Sequence, residues 1–203
     1  MTYNNLIRLM IITYQGENYF KIQSGSLVFL IDPTNSRSLR GAKAVINTLK
    51  PPVVSAAPDE DAPFFWIENQ GEYEINGIPI TSWSVENDGV EKTAYLIEME
   101  DIKIAVLGHI AEEISPEALE HLKEVDVLIL PAAGKPYLSE ASAAKLVRQI
   151  KPKIVIPSLF KTEPVKFFKE LNQNPKPEEK LVFKKKDLDL QSQAMKIVYL
   201  GSK

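Results

Sequence analysis

The chain has no cysteine and only two histidines, His109 and His121, among its 203 residues. The absence of cysteine excludes disulfide bonds, thiolate metal sites and a cysteine nucleophile, and it fits a reducing compartment. A serine-histidine-aspartate triad could use His109 alone. His121 lies among Glu117, Glu120 and Glu124 in a predicted helix, so we expect it on the surface.

The chain also lacks a large charge excess and a long apolar run. Its 24 basic and 27 acidic residues give a net charge of -3, which provides no broad phosphate-neutralising surface for duplex nucleic acid. No apolar stretch approaches the roughly 18 residues of a membrane-spanning helix. The N-terminal run LIRLMII is interrupted by Arg8 and is followed by no signal-peptide cleavage site. We expect a soluble cytoplasmic protein without a nucleic-acid or membrane partner.

Two groups of charged residues have simple structural interpretations. The lysines at 184–186 form the only basic run, and beside Asp187 and Asp189 they are typical of a protected sheet edge. Glu72 and Glu74 resemble a catalytic carboxylate pair, but alternate residues of a strand share one face, so solvent exposure of that face explains both.

Short apolar or alternating runs separated by turn residues predict strands through the first half of the chain. An Asn76-Gly77 turn predicts a hairpin between the last two, and the proline-rich residues 51–63 are predicted to be a loop. The predicted strands cover residues 9–14, 19–23, 27–31, 44–47, 64–67, 72–75 and 78–85.

The second half alternates helices with short buried strands. Serine or threonine at an N-cap position predicts helices that begin at Ser115, Ser139 and Thr162 and end near residues 124, 150 and 172. No linker separates the halves, so we predict one domain over residues 1–203, with residues 1–9 as a candidate extension before Met10. Further strands are predicted at residues 93–99, 102–107, 125–130, 153–156, 181–185 and 196–200.

Several stretches together resemble the metallo-β-lactamase superfamily, in particular its branch of metal-dependent hydrolases related to ascorbate-phosphate lactonases. The resemblance implies an α/β fold, a four-layer αββα sandwich with an active site at the sheet edge. The stretches that carry the resemblance are ITYQGENYFKIQSGSLVFLIDP (12–33), NQGEYEINGI (69–78), TAYLIEMEDIKIAVLGH (93–109), VDVLILPAAG (125–134) and KPKIVIP (151–157).

The resemblance also implies one or two zinc ions held by a His-x-His-x-Asp-His loop. In this chain those four positions fall on Leu49, Pro51, Val53 and Val54, and none of their side chains can bind a metal. Proline and branched apolar residues indicate a loop rebuilt for packing. The stretch GAKAVINTLKPPVV is therefore typical of the family in its position and unlike it in its chemistry.

The remaining ligand positions are changed as well. The middle aspartate of the family corresponds to His109, the late histidine to Leu159, and the histidine after the first glycine of many relatives to Glu17. A catalytic zinc site needs about three protein ligands, and Glu17 and His109 are the only donors left near the expected centre. We therefore expect no zinc and no other cofactor.

Four residues remain as candidates for a vestigial site or a binding site: Glu17, Asp32, His109 and Ser158. Asp32 matches the family's Asp-Pro after the third strand, and a structural role in capping backbone N–H groups is favoured over metal ligation. His109 is interpreted either as a binding or acid-base group or, as we favour, a polar residue that closes a strand. Ser158 and Ser55 lack the Gly-x-Ser-x-Gly elbow of a serine nucleophile.

The leading hypothesis is a metallo-β-lactamase-fold protein that has lost metal-dependent hydrolase activity. It would act as a binding or oligomerisation module for a small molecule or a protein, including a second copy of itself. The alternative is a hydrolase with a relocated or metal-free site around Asp32 and His109, with Glu17 and Ser158. A third hypothesis is that a partner chain supplies the missing chemistry.

Overall fold

A computed structural model of the protein describes residues 8–54, 64–87, 90–190 and 195–201. The first half is built from strands, and the hairpin turn at Asn76-Gly77 lies where the sequence predicts it. The strands are β1 (Met10–Tyr14), β2 (Phe20–Ser24), β3 (Leu27–Ile31), β4 (Ala44–Ile46), β5 (Leu49–Lys50), β6 (Phe65–Ile67), β7 (Gly71–Ile75), β8 (Ile78–Asn87), β9 (Glu91–Met99) and β10 (Ile102–Val106).

The second half alternates helices and strands, as predicted. Its helices are α1 (Pro116–Glu120), α2 (Glu140–Ile150), α3 (Val165–Glu170) and α4 (Lys185–Leu190). Its strands are β11 (Val127–Pro131), β12 (Ile154–Ser158), β13 (Pro177–Glu178), β14 (Leu181–Phe183), β15 (Lys196–Ile197) and β16 (Tyr199–Leu200). None of the helices in the described part of the chain has the length and apolar character needed to span a bilayer.

Most strands form two mixed sheets that pack face to face, and β13 pairs with β16 in a separate two-stranded sheet. The first sheet has the order β14-β1-β2-β3-β4-β6, and the second has the order β15-β12-β11-β10-β9-β8-β7 with β5 paired to β9. Alternate residues of β1, from Met10 through Ile12 to Tyr14, are buried against the second sheet. Because inward-facing residues of both sheets fill one core, the predicted α/β fold with two facing sheets is confirmed.

Helices cover the outer face of the second sheet. The N-caps predicted at Ser115 and Ser139 are confirmed, since their hydroxyls accept hydrogen bonds from Ala118 N at 3.2 Å and Ser142 N at 3.1 Å. On the outer face of the first sheet, the described residues form a 3-10 helix, Ser36–Leu39, and a small apolar cluster.

Three local predictions are wrong. The helix expected from Thr162 begins at Val165 after Pro164, which has no side-chain cap, and α1 ends at Glu120 rather than near residue 124. The strand predicted over residues 181–185 ends at Phe183, so the lysines at 184–186 follow the edge strand β14 and enter α4, where Lys185 pairs with a buried carboxylate.

Candidate functional site

Loops at the ends of both sheets meet at a hydrogen bond between two backbone groups. The amide of Leu159, directly after β12, donates a 2.8 Å hydrogen bond to the carbonyl oxygen of Glu17, in the β1–β2 turn. The backbone is left-handed at both residues, with φ near 55°, and also at Asp32 and Gly108. Left-handed backbone at residues other than glycine is uncommon and concentrates at ligand and switch regions. The same sheet edge brings together the candidate residues Glu17, Asp32 and His109, and it is therefore the candidate site.

Asp32 lies at the centre of this edge and is 9% exposed. Its Oδ1 atom accepts a 2.7 Å hydrogen bond from the backbone N–H of Thr48. Its Oδ2 atom accepts bonds from Asn18 Nδ2 at 2.6 Å and from Thr48 Oγ1 at 2.5 Å. Asp32 thus joins the ends of β3 and β4 to the first turn.

His109 reaches the same group through Thr48. The Nδ1 atom of His109 lies 2.9 Å from Thr48 Oγ1 and 3.8 Å from Asp32 Oδ2. The edge of the ring faces Tyr137, with the ring centroids 5.7 Å apart. The imidazole is 13% exposed, so a buried carboxylate is connected by one hydroxyl to a largely buried ring that still reaches the protein surface.

Burial and opposite charges set the electrostatics of this cluster. Burial raises the pKa of Asp32, and His109 together with the hydrogen-bond donors opposes that rise. Burial lowers the pKa of His109; Asp32 opposes this, Lys92 adds to it, and Glu17 opposes it more weakly. Burial and Glu17 raise the pKa of Tyr137, and Lys92 opposes them. One carboxylate and one ammonium group therefore act on both rings.

The loop that carries the metal ligands in the resembling family begins here as a short strand of the second sheet, β5, which includes Leu49 but not Pro51, Val53 or Val54. Leu49 pairs with Lys92 and Lys50 pairs with Glu91, and Lys50 Nζ lies 3.5 Å from a carboxylate oxygen of Glu91. Beyond this strand, Val54 packs on the cluster outside the first sheet, whereas Val53 is 71% exposed. Packing therefore accounts for only part of the rebuilt loop.

The side chains that the structure describes at this edge do not fit the zinc centre that the fold implies. Both carboxylate oxygens of Asp32 are already occupied by three donors from the protein. Within the ranges that the structure describes, no group of three histidine, aspartate or glutamate side chains could hold a metal ion. A zinc site needs about three such ligands, so no step of a mechanism is assigned to a metal here.

Ser158 is placed at the same edge but is not connected to the other candidates. It is the last residue of β12, fully buried, and its Oγ atom has no hydrogen-bond partner among the described residues. Asn18 Oδ1 is likewise buried without a partner in that part of the chain. A Ser158–His109 pair is not formed, because Ser158 Oγ has no hydrogen-bond partner among the described residues. Ser55 lies outside the described residues.

The cluster also contains four residues that the sequence does not mark as candidates: Thr48, Asn18, Lys92 and Tyr137. A usable signal existed for Thr48, since it follows a short buried strand as Asp32 does. Lys92 is only 7% exposed within β9, and nothing in its local sequence distinguishes it from an exposed lysine.

The remaining candidates lie away from this cluster. Glu72 and Glu74 are exposed on β7, as expected. His121 is exposed, as expected, but it follows α1 and stacks on Trp83 with the ring centroids 4.7 Å apart.

A cavity of about 280 Å³ lies elsewhere, between α1 and α2. Its apolar wall includes Leu119, Leu138 and Leu146, and the ion pair between Glu113 and Lys145, at 2.7 Å, contributes to its lining. It contains none of the candidate residues.

A family model described as the beta-lactamase superfamily domain matches residues 11–158. The chain belongs to this superfamily. The match extends from β1 to β12 and includes Asp32, Thr48, His109 and Ser158. A search among curated proteins finds no match.

Solved structures of the superfamily fold extend over most of the chain. A candidate Zn-dependent hydrolase of the metallo-beta-lactamase superfamily from Thermotoga maritima is 21% identical with a TM-score of 0.75, and the alignment covers 96% of this chain and 100% of that one. A candidate metal-dependent hydrolase from Parabacteroides distasonis ATCC 8503 is 16% identical, with a TM-score of 0.66 and coverages of 81% and 89%.

A metallo hydrolase from Ignicoccus hospitalis is 15% identical, with a TM-score of 0.64 and coverages of 87% and 99%. At these identities the likeness shows the fold alone. The activity of this chain has to be argued from its own residues.

Proposed function

We propose that this member of the superfamily does not use the family's metal centre and is a binding module for a small polar molecule at the Asp32–Thr48–His109 cluster. The observation that carries the proposal is the position of the Thr48 hydroxyl, 2.5 Å from Asp32 Oδ2 and 2.9 Å from His109 Nδ1. A protein hydroxyl joins the two side chains that would otherwise be the best metal donors.

The energetics of Asp32 support this proposal. A carboxylate that accepts three hydrogen bonds inside the protein would have to give up some of them to bind a cation. Each bond to a charged group is worth about 1.5–3 kcal/mol. Recruiting Asp32 to a metal would therefore weaken the contacts that hold the ends of β3 and β4 together.

The exposed part of the cluster supports a role in binding. His109 is 13% exposed, Tyr137 is partly buried beside it, and Glu17 is exposed at the rim. Small-molecule sites use a small number of precisely placed polar groups to orient the ligand, and this sheet edge supplies such groups.

A direct test is the metal content of protein purified without a metal-affinity tag. We expect well below one equivalent of zinc, iron or manganese per chain by elemental analysis, and an unfolding temperature that EDTA or added zinc leaves unchanged. The matched variants are His109→Gln and His121→Gln. Stoichiometric metal that His109→Gln loses and His121→Gln keeps would overturn the proposal.

A metal-free hydrolase is the second candidate, and one observation favours it. A carboxylate connected to an imidazole is how proteins orient a histidine base, although here a hydroxyl lies between the two. The test is turnover of small esters, lactones and phosphate esters by the wild-type protein. Turnover that His109→Gln abolishes and His121→Gln retains would establish the hydrolase; no turnover above the His109→Gln background is the result that the binding proposal predicts.

A second copy of the chain remains a proposed partner. Light scattering across a concentration series tests it, and a stable dimer would require the metal and turnover measurements to be interpreted per assembly. A constant monomer mass would remove this partner.

A further inference from the structure

The hydrogen bonds around Asp32 determine which atoms in the cluster carry protons. The backbone N–H of Thr48 and the Nδ2 atom of Asn18 can only donate, and each directs a hydrogen at a different oxygen of Asp32. This arrangement favours the ionised carboxylate, which then also accepts the hydrogen bond that the single hydroxyl proton of Thr48 can make. Thr48 Oγ1 has no second proton, so it can only accept from His109 Nδ1.

We propose that Thr48 is a positioning residue that holds His109 in its Nδ1–H form, which makes Nε2 the hydrogen-bond acceptor for a hydroxyl or amide N–H group of a neutral ligand. The two ring nitrogens of a neutral histidine have opposite roles, and the bond made by one decides the role of the other. The proposal rests on the proposed binding function and adds to it the acceptor atom and the class of ligand.

The surrounding charges argue for a neutral ligand. The groups that act on His109 are the Asp32 and Glu17 carboxylates, the Lys92 ammonium and the neighbouring Tyr137. The Asp32 charge is engaged by its own three donors. Glu17 and Lys92 act on both rings with opposite sign, so neither an anion nor a cation is clearly favoured.

The reverse proton arrangement is the competing possibility. If Asp32 were protonated, its O–H would donate a hydrogen bond to Thr48 Oγ1. The Thr48 hydroxyl would then donate to His109 Nδ1, and the ring proton of His109 would be on Nε2. In that arrangement the ring would present a donor to a ligand. The two arrangements share the same heavy-atom positions, so they are distinguished by proton positions alone.

Nitrogen NMR of protein labelled with ¹⁵N-histidine reads the proton position directly. With only two histidines in the chain, the spectrum contains one reporter and one internal control. Above the pKa of both rings, we expect a protonated Nδ1 and an unprotonated Nε2 for His109, and the mixture of tautomers typical of an exposed ring for His121. A protonated Nε2 on His109 would overturn the proposal.

Variants of Thr48 test its role as the cause. Thr48→Val keeps the shape and removes the hydroxyl, so His109 should shift toward a tautomer mixture; Thr48→Ser should restore the Nδ1–H form. If Thr48→Val leaves the wild-type tautomer unchanged, Thr48 is not the positioning residue. If Thr48→Val fails to fold, Thr48→Ser decides on its own, because loss of the Nδ1–H form with the hydroxyl present contradicts the proposal.

The ligand class is tested with two probes of similar size, ethylene glycol and acetate, at equal concentration and ionic strength. We expect ethylene glycol to shift the Nε2 resonance of His109 and to leave His121 unchanged, with no effect of acetate on either. A response to acetate alone, or equal responses of both histidines, would overturn the ligand class. The metal measurement can fail while the tautomer result stands, so the two proposals are separable.

Discussion

Gly108 lies directly against the side chain of Thr48, so closely that a Cβ atom at position 108 would overlap it. The same glycine has φ +58°, in the left-handed region. Two independent constraints therefore require glycine beside His109: the space taken by the Thr48 side chain and the backbone angle that turns the chain after β10.

Gly108→Ala should destabilise the protein by about 3 kcal/mol, because overpacking and left-handed strain each cost about 1–3 kcal/mol. Urea unfolding followed by circular dichroism measures the loss. Gly77→Ala is the matched control: its φ is +78°, and an added Cβ would meet nothing within 4 Å. It should therefore lose only about 1 kcal/mol, from strain alone. Equal losses in the two variants would contradict the close contact between Gly108 and Thr48.

Asp32→Asn should reverse the tautomer of His109. Asparagine tolerates the left-handed backbone at this position, where φ is 43°, so the local conformation should persist. Its amide would donate to Thr48, which would then donate to His109 Nδ1, and the proton would move to Nε2. The buried amide of Asn18 would lose its acceptor, at a cost of about 1–3 kcal/mol.

The tautomer of this variant is read by the same nitrogen spectra, and its stability by urea unfolding. Asp189→Asn is the control, since Asp189 is exposed and bonds Lys153 Nζ at 3.2 Å on the surface. An unchanged His109 tautomer in Asp32→Asn would show that Asp32 does not direct the proton of Thr48.

The regular elements could largely be predicted from local sequence. The limits of β3 follow from an apolar run between a turn and Asp32-Pro33, and the hairpin at Asn76-Gly77 follows from turn chemistry. In contrast, β5 exists because Leu49 pairs with Lys92, a contact distant in sequence that no local pattern encodes.

The candidate site could be predicted only in part. Asp32 and His109 were identifiable because each follows a strand at a position where a resembling family has a functional residue. The groups that connect them, Thr48 and Asn18, come from other loops, and their roles depend on how the strand ends meet in space. Burial of Lys92 is likewise a consequence of sheet pairing.

His109 should make stability depend on pH. Burial lowers its pKa in the folded protein, so the unfolded chain binds a proton more readily. The stability that His109 contributes is present above about pH 6.5, its ordinary pKa, and is lost as the pH falls through the lowered folded value. Each unit of difference between the two values is worth about 1.4 kcal/mol.

The measurement is the free energy of unfolding between about pH 8 and about pH 5, a range that extends to both sides of the ordinary histidine pKa of about 6.5. The curves of the wild type and His109→Gln should converge as the pH falls below about 6.5, whereas His121→Gln should run parallel to the wild type. Asp32 has a raised pKa and acts in the opposite sense, from about pH 4 upward. Because His109 opposes that rise, the contribution of Asp32 is larger in His109→Gln, which also widens the gap between the two curves as the pH rises. Parallel curves for His109→Gln would show that His109 is not buried in its neutral form.

Asp126 should be the ion-pairing residue on which stability depends most. Its side chain is 5% exposed, and Oδ2 accepts bonds from Lys103 N at 3.0 Å and Lys185 Nζ at 2.8 Å. Lys153 Nζ lies 3.4 Å from Oδ1. These contacts fasten α4 to the strands of the second sheet. Asp126→Asn would leave two ammonium groups facing a neutral amide, and we expect a loss of about 2–3 kcal/mol.

Glu124→Gln is the matched control, because Glu124 is 84% exposed and pairs with Lys103 Nζ at 3.2 Å. An exposed pair of this kind contributes little, so the change should stay within about 0.5 kcal/mol. Urea unfolding at low and high salt separates the two residues further. High salt should abolish the small loss of stability in Glu124→Gln. It should leave most of the loss in Asp126→Asn, since buried charges are shielded from mobile ions. A loss at Asp126 that disappears in high salt would mean that the carboxylate is open to solvent and does not anchor α4.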